Sequence, residues 1–436
     1  MTVTYDPKHP AYYDEADLRA EMTRVYDLCH GCRLCFNLCP PFPSLFEMID
    51  AKDGVVADLT PAEQDRVVDE CYQCKLCYLK CPYVPPHEWQ LDFPRLLLRA
   101  EAGRAKQGGG GMRKKLADQV LGRTDLLGRV ATAAAPLANR MTATPGSLVR
   151  RVLDRSAGIA SERLLPPYAR TRFTTWFRRR APGPLGRPEQ ATVAIFPTCL
   201  VDYQNPDIGK DLVKVYERNG VSCSLVEGAQ CCGAPWLHAG HMEQFEAQGR
   251  RNVAALAAAV RAGKDIVVPQ PTCGYVLKRD YPLHVGGADA DLVASRTSDA
   301  AEYLWKLHQG EGTALDTDFR GAVPETTAYH VPCHLQAQSI GLRSRDLLKL
   351  TGTTVSVVNK CSGIDGTWGY RSEHYAESRQ VARPLAEAIT KAAADVVAGD
   401  CHLANGAILQ ETGRQALHPL QLMARAYGIP PEADER

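Results

Sequence analysis

The second half of the chain alternates short apolar runs with amphipathic segments. Six β-branched runs of four to six residues predict buried parallel strands. They are residues 192–196, 221–226, 265–268, 326–331, 354–358 and 395–399. Apolar residues recur at helical spacing over 208–219, 243–262, 344–350 and 374–394, in the intervals between these runs. The pattern therefore predicts a doubly wound α/β unit that occurs twice.

Length and composition indicate the number of domains and the class of protein. The 436 residues correspond to roughly three domains. The sequence contains no stretch of eighteen uncharged apolar residues, so we expect no membrane-spanning helix. The first residues lack the basic and then apolar pattern of a secretory signal, which predicts a cytoplasmic protein.

Cysteine is unusually frequent, with sixteen residues. In a cytoplasmic chain the thiols stay reduced, so this many cysteines indicate metal binding rather than disulfides. Eight lie between Cys29 and Cys81 and eight between Cys199 and Cys401, with none in the interval. We therefore expect two separate metal-binding regions.

Two cysteine runs near the N-terminus have identical spacing and are displaced by 42 residues. They are Cys29, Cys32, Cys35 and Cys39 before Pro40, and Cys71, Cys74, Cys77 and Cys81 before Pro82. In two-cluster ferredoxins this spacing binds a [4Fe-4S] cluster through three cysteines, and the fourth cysteine binds the other cluster. The predicted ligand sets are Cys29, Cys32, Cys35 and Cys81 for the first cluster and Cys71, Cys74, Cys77 and Cys39 for the second. Zinc is the alternative, although zinc sites usually use paired CxxC elements.

Residues 1–100 are predicted to form an all-helical ferredoxin domain. Residues 18–29 and 61–71 have helical patterns, and Thr60, Pro61 and Glu63 form the signature of a helix N-terminus with a capping box. A compact β-hairpin ferredoxin would need fewer residues between its two cysteine runs.

Residues 101–190 form a basic linker or docking segment. Between Arg104 and Arg187 there are eighteen Lys and Arg against four acids, in a chain of net charge +1. Glycines at 108–111 and the Pro/Gly-rich residues 181–188 have the composition of linkers. The apolar residues with helical spacing are Met112, Leu116, Val120, Leu127, Val130, Leu137 and Met141.

This basic segment has three interpretations. Basic amphipathic helices bind anionic membrane surfaces or acidic partners. The same pattern also describes an ordinary helix packed on its own protein with a solvated face. Nucleic acid is the weakest option because the segment carries no recognised nucleic-acid-binding module, and we expect no such partner.

The remaining cysteines follow the predicted strands, where ligands bind in parallel α/β sheets. Residues 191–320 contain Cys199, Cys231, Cys232 and Cys273, and residues 321–436 contain Cys333, Cys361 and Cys401. Aligning the two halves places Ser362 opposite Cys232. The first half can thus complete a four-thiolate site, whereas the second has three thiolates. Cys223 lies inside a strand and is predicted to be a small buried hydrophobic residue.

The chain resembles the family formed by the C subunits of anaerobic glycerol-3-phosphate dehydrogenases, which is related to heterodisulfide reductase. The resemblance lies in the double CxxCxxCxxxCP run, the Cys231-Cys232-Gly233 motif with its counterpart Cys361-Ser362-Gly363, and phrases such as HVPCHLQAQ and DCHLA. It implies electron transfer between a flavoprotein dehydrogenase and a quinone or another carrier, with cubane or non-cubane clusters in the cysteine-rich domains. The chain lacks the CxxC ending of the full motif, which argues against five-thiolate non-cubane clusters.

Three functions are compatible with these observations. The first is an electron-transfer component of a larger complex, because the chain carries several expected clusters but no flavin or nicotinamide fingerprint. The second is a reductase that cleaves a disulfide or another two-electron substrate at the incompletely ligated second site, where His330, His334 or His402 could supply a ligand or a proton. The third is a scaffold or redox sensor with structural clusters. We expect two ferredoxin clusters, one or two further clusters, and an α+β multidomain fold.

Overall fold

The computed structural model describes residues 5–432 except 110, 182, 184, 188 and 311–314. Gly110 of the predicted glycine linker and Pro182, Pro184 and Pro188 of the predicted second linker lie outside the described residues. No helix in the described part is long and apolar enough to cross a membrane.

The N-terminal part, hereafter the helical region, contains five α-helices. They are α1 (Glu15–Cys32), α2 (Pro41–Asp50), α3 (Pro61–Glu70), α4 (Leu76–Lys80) and α5 (Phe93–Lys106), with a 3-10 turn at Val56–Asp58. The Thr60 side chain accepts from the Glu63 amide, and the Glu63 carboxylate accepts from the Thr60 amide, which confirms the predicted capping box. The core of this region contains Tyr26, Phe42 and Phe93.

The basic segment forms five further helices. They are α6 (Gly111–Gly122), α7 (Thr124–Ala133), α8 (Ala135–Thr142), α9 (Leu148–Ala157) and α10 (Phe173–Arg179). Their buried positions are mainly small: Gly122 lies against the Trp236 ring and Gly128 against the Tyr203 ring. The acidic Asp118 anchors α6 through His241 and Arg371.

Two four-stranded parallel sheets form the second half. Their strands are β1 (Ala191–Ile195), β2 (Val221–Leu225), β3 (Asp265–Val268), β4 (Thr297–Asp299), β5 (Thr326–His330), β6 (Thr354–Val358), β7 (Val396–Gly399) and β8 (Ala416–Leu417). The sheet orders are β2-β1-β3-β4 in the first unit and β6-β5-β7-β8 in the second unit. The six predicted strands are confirmed. The apolar pattern did not predict β4 and β8, which have only three and two residues and no apolar run.

Helices connect and cover these strands. They are α11 (Cys199–Tyr203), α12 (Pro206–Arg218), α13 (Ala234–His238), α14 (Met242–Arg261), α15 (Pro271–Tyr275), α16 (Ala288–Ser295), α17 (Ala300–Gln309), α18 (Cys333–Ala337), α19 (Arg343–Leu350), α20 (Tyr375–Ala392), α21 (His402–Thr412) and α22 (Pro419–Ala426). A π-helix spans Val276–Val285, and 3-10 turns lie at Trp368–Tyr370 and Ser372–His374.

Alternate residues of the central strands enter different hydrophobic clusters. In β1, Ala194 packs with the cluster that contains α14, whereas Val193 and Ile195 pack with the cluster that contains α12. Leu420 and Met423 of α22 belong to this second cluster, so the two units share a core. The described second half is therefore parallel-sheet α/β structure with helices on both faces of the first sheet.

Candidate metal centres

The first cysteine set of the helical region surrounds a small cavity. Cys29, Cys32, Cys35 and Cys81 all line a space of about 30 Å³ beside Leu34 and Phe46. The chain reverses at the end of α1 because Arg33 adopts a left-handed conformation with φ 50°. Burial, and then the neighbouring Cys81, raises the pKa of Cys35 to about 11. The structure thus brings Cys81 of the second run to three cysteines of the first.

The second set is arranged in the same way. Cys39 of the first run lies among Cys74, Cys77 and Cys71, and burial together with the charges of these thiols raises the pKa of Cys39 well above its usual value. Gln73 and Lys75 have positive φ of 57° and 66°, which wraps the loop around this set. The exchange of fourth cysteines between the two runs is thus present in the folded chain.

Four thiols of the first α/β unit meet beyond the carboxyl ends of β1, β2 and β3. The Sγ atoms of Cys199 and Cys231 are 3.9 Å apart. Cys232 is hydrogen-bonded to both Cys231 and Cys273. Hydrogen bonds from the Cys199 and Cys232 thiols lower the pKa of Cys231 well below its usual value.

A carboxylate from the basic segment covers this first site. Asp125 of α7 accepts a hydrogen bond of 2.8 Å from the Cys231 amide and one of 3.2 Å from the Tyr203 hydroxyl. Burial, followed by the charge of the Cys231 thiol, raises the pKa of Asp125. In the sequence Asp125 was only one of four acids in a basic segment, because nothing local marks a contact across 106 residues.

The second α/β unit holds its cysteines around a larger space. Cys333, Cys361 and Cys401 line a cavity of about 320 Å³ together with Ser362. Leu38, Leu76 and Lys80 of the helical region line its opposite side. This site therefore lies between the second unit and the cysteine loops of the helical region.

The three candidate histidines of this site differ in their hydrogen-bond partners and in whether they line the cavity. His334 uses both ring nitrogens: Nδ1 lies 2.9 Å from the Thr272 hydroxyl and Nε2 lies 3.1 Å from the Gln73 carbonyl oxygen. His330 lines the cavity, and its Nε2 lies 3.1 Å from the Lys360 carbonyl oxygen. His402 is not among the described residues that line the cavity.

Tyr72 connects the second cysteine set with the second α/β unit. The Tyr72 hydroxyl and Cys361 Sγ are hydrogen-bonded at 3.5 Å, and the Tyr72 ring packs 5.0 Å from the Trp368 ring. The Trp368 indole in turn donates to the Asp69 carbonyl oxygen at 2.9 Å. Tyr72 lies between Cys71 and Cys74 in the sequence, but no local signal reveals its contact with a residue 289 positions away.

Asp365 is a third residue that the sequence did not reveal. It lines both the large cavity and a neighbouring cavity of about 90 Å³ beside Cys71 and Tyr72. Burial raises the pKa of Asp365 to about 7, although nearby Lys75 opposes the shift. Asp365 therefore places a weakly acidic carboxyl between the two cysteine-containing regions.

Cys223 is separate from these centres. It lies in β2, packs beside the cluster that contains α12, and donates a weak 3.7 Å hydrogen bond to the Val221 carbonyl oxygen. Burial raises the pKa of its thiol. This environment is typical of a small apolar residue.

The donor sets fit iron-sulfur clusters. Thiolates are the ligands of [4Fe-4S] clusters, and crowding several buried thiols together is unfavourable for their ionised forms unless positive charge is supplied. Among the described residues, no three His, Cys, Asp or Glu side chains have the arrangement of a site for one metal ion. The first set of the helical region and the three cysteines of the second α/β unit instead each line a shared cavity, as expected for ligands of a multinuclear centre.

Two family models match the chain. A model described as "4Fe-4S dicluster domain" matches residues 21–82. A model described as "Cysteine-rich domain" matches residues 193–278 and again 327–404. The first match contains both cysteine runs, and the other two contain the strand-end cysteines.

Several known proteins are similar to this chain. The C subunit of the anaerobic glycerol-3-phosphate dehydrogenase of Escherichia coli (strain K12) is 33% identical over 318 residues, which cover 72% of this chain and 78% of that protein. The B subunit of the fumarate reductase (CoM/CoB) of Methanothermobacter marburgensis is 26% identical over 55% of this chain and 46% of that protein. Lactate utilization protein A of Bacillus licheniformis is 28% identical over 48% of this chain and 87% of that protein.

Proposed function

The chain belongs to the family of the anaerobic glycerol-3-phosphate dehydrogenase C subunits, and from this membership we propose that it relays electrons between a flavoprotein dehydrogenase and a quinone or another acceptor. The contact that carries this proposal is the hydrogen bond between Tyr72 and Cys361. It joins the loop of the second cysteine set directly to a cysteine of the second α/β unit. A relay needs such short connections between its centres.

We assign four centres to the chain. The ligands are Cys29, Cys32, Cys35 and Cys81 for the first, Cys71, Cys74, Cys77 and Cys39 for the second, Cys199, Cys231, Cys232 and Cys273 for the third, and Cys333, Cys361 and Cys401 for the fourth. The proximity of the cysteines within each set supports this assignment. The bound clusters would supply one-electron chemistry, while the protein positions them and adjusts their potentials through burial and hydrogen bonds to sulfur.

We also propose four domains: a ferredoxin domain over 1–100, a docking segment over 101–190, and cysteine-rich domains over 191–320 and 321–436. The equivalent strand orders of the two sheets support the interpretation that the last two are copies of one doubly wound unit.

We propose that the flavoprotein docks beside the first cysteine set. Leu34 and Phe36 are large apolar residues that remain exposed near this set, and the Phe36 ring stacks on Phe46, which lines the same cavity. Leu34 also lines the same cavity as Cys29 and Cys35. An apolar patch around this centre allows close contact with a redox partner, which electron transfer requires.

The basic segment is proposed as a peripheral attachment to the inner face of the cell membrane of an otherwise cytoplasmic protein. Its large apolar side chains point outward, which is the opposite of an ordinary packed helix. The exposed residues are Met112, Leu116, Leu126, Leu127, Val130, Leu137, Met141, Leu148 and Val152. Exposed basic residues such as Arg113 and Arg151 lie among them. Together these groups suit an anionic lipid surface.

The test of the relay uses the anaerobically purified complex with its native dehydrogenase. We expect the dehydrogenase substrate to reduce the flavin and then to bleach the cluster absorbance of this chain, and a quinone to restore that absorbance. Leu34→Asp should slow bleaching, whereas Val55→Asp, at an exposed apolar position of the same region, should not. The proposal fails if no flavoprotein co-purifies or if bleaching never occurs.

The large cavity supports a second candidate function. Because the second unit has only three cysteines around about 320 Å³, an external disulfide or other two-electron substrate could react there. Reduction of a disulfide by the isolated chain with an artificial electron donor would favour this reductase over the relay.

A further inference from the structure

The two α/β units differ at two positions that follow equivalent strands. Residues 192–199 and 326–333 align without a gap, so that Cys199 matches Cys333 and Phe196 matches His330. After the next strand, Cys232 of the first unit matches Ser362 of the second. The unit that lacks a fourth thiol therefore has a histidine where the other unit has a fully buried phenylalanine.

The surroundings of His330 define which nitrogen carries its proton. The side chain lies at the end of β5 and is only 2% exposed. Its Nε2 lies 3.1 Å from the Lys360 carbonyl oxygen, which only accepts hydrogen bonds, so Nε2 must donate. With the proton of the neutral ring on Nε2, the lone pair lies on Nδ1.

This lone pair has no hydrogen-bond partner in the described part of the chain, although the atom is buried. The side chain lines the same cavity as Cys333, Cys361 and Cys401. A metal-bound histidine typically donates its other ring N–H to a backbone carbonyl or carboxylate, which fixes the ring orientation. His330 already has this arrangement through the Lys360 carbonyl.

The other nearby groups are less suitable. Both nitrogens of His334 are used by Thr272 and Gln73. His402 has an unpartnered Nε2, but its side chain is not one of the described groups that line the cavity. Ser362 lines the cavity, but a neutral hydroxyl is a much weaker iron ligand than an imidazole nitrogen.

We propose that Nδ1 of His330 is the fourth protein ligand of the cluster in the second α/β unit, where it replaces the missing thiolate. This inference rests on the proposed function, which assigns a cluster to that unit. Replacing an anionic thiolate by a neutral imidazole removes one negative charge from the centre. The centre of the second unit should therefore have a higher reduction potential than the four-thiolate centre of the first unit.

The test uses the full chain, loaded with iron and sulfide anaerobically and labelled with ¹⁵N-histidine. Pulsed EPR of the reduced protein should show a hyperfine coupling from a directly bound histidine nitrogen. His330→Phe, which introduces the residue of the first unit, should abolish this coupling. His402→Phe is the matched control and should retain it. Persistence of the coupling in His330→Phe would overturn the assignment.

A second variant guards against a folding defect. His330→Cys should retain the iron of the second unit, lose the nitrogen coupling and shift the potential of that centre to a more negative value, because a thiolate is restored. An unchanged potential would contradict ligation by His330. Cys333→Ala separates the two levels of the proposal. If Cys333→Ala does not lower the iron content, the cluster assignment and this inference both fail. If Cys333→Ala lowers the iron content but His330→Phe retains the nitrogen coupling, only the inference fails.

Discussion

The two α/β units have the same strand order but different centres. In the first unit, four cysteines meet in a closed site, with Cys199 and Cys231 sulfurs 3.9 Å apart. In the second unit, three cysteines line an open cavity of about 320 Å³. One arrangement of strands thus supports two kinds of site. The sheet places cysteines at its edge, and the residues in the connecting loops decide whether the site is completed.

The segments that pack on each site also differ. Asp125 of the basic segment covers the first site and accepts from the Cys231 amide. Tyr72 from the helical region reaches the second site and is hydrogen-bonded to Cys361. We therefore expect the first centre to depend on the basic segment and the second to communicate with the ferredoxin clusters.

Removing one cysteine from each unit should have the largest effect. Cys199→Ala and Cys333→Ala should each lose up to roughly four irons per chain, because each removes a thiolate from a set that has no spare cysteine. Iron and sulfide analysis after anaerobic reconstitution measures this loss, with Cys223→Ala as the control that retains all iron. If only Cys199→Ala loses iron, the second unit holds no cluster.

Attachment of the basic segment should be weakened strongly by polar substitution. Replacing Met112, Val130 and Leu148 together by Ser should weaken binding to anionic vesicles at least roughly tenfold, because exposed apolar area is lost. Added salt should weaken binding of the unchanged chain, since charge attraction is screened over about 8 Å at physiological ionic strength. Val55→Ser in the helical region is the control. Unchanged binding by the triple variant would exclude this surface.

Acid should destabilise both units through buried histidines. Burial lowers the pKa of His284 in the first unit and of His418 in the second to about 3. Below an unfolded pKa of about 6.5, the unfolded chain binds protons that the folded chain does not bind. Each histidine should therefore lower the free energy of unfolding by roughly 2 kcal/mol between pH 7 and pH 5. Urea unfolding at both pH values measures this effect. His418→Gln should reduce the difference in the free energy of unfolding between pH 7 and pH 5.

The two covering side chains should give the smallest and most selective effects. Tyr72→Phe removes the hydrogen bond with Cys361, which contributes roughly 1 kcal/mol. The reduction potential of the second unit's centre should therefore become lower. Asp125→Asn should weaken the contacts with Cys231 and Tyr203 by a similar amount and affect only the first unit. Redox titration followed by EPR separates the two. If either variant shifts the reduction potentials of both centres equally, its side chain does not act on one unit alone.

Much of this architecture follows from local patterns. The six apolar runs predicted the central strands because a buried parallel strand needs apolar residues on both faces. The Thr60 capping box predicted the start of α3, because its two hydrogen bonds involve residues only three apart. β4 and β8 were missed because such short strands are formed by pairing with β3 and β7 rather than by their own composition.

The sequence by itself determined the two matching cysteine runs, the repeated strand pattern and the absence of a fourth thiol in the second unit. These features depend on residue type and spacing along the chain. Only the tertiary structure decided that Asp125 covers one site, that Tyr72 reaches the other, and that His330, rather than His334, has an unpartnered nitrogen among the described residues at the second cavity. The first two are contacts between segments that are distant in the sequence, and the third depends on the orientation of a ring. Local spacing along the chain encodes none of these features.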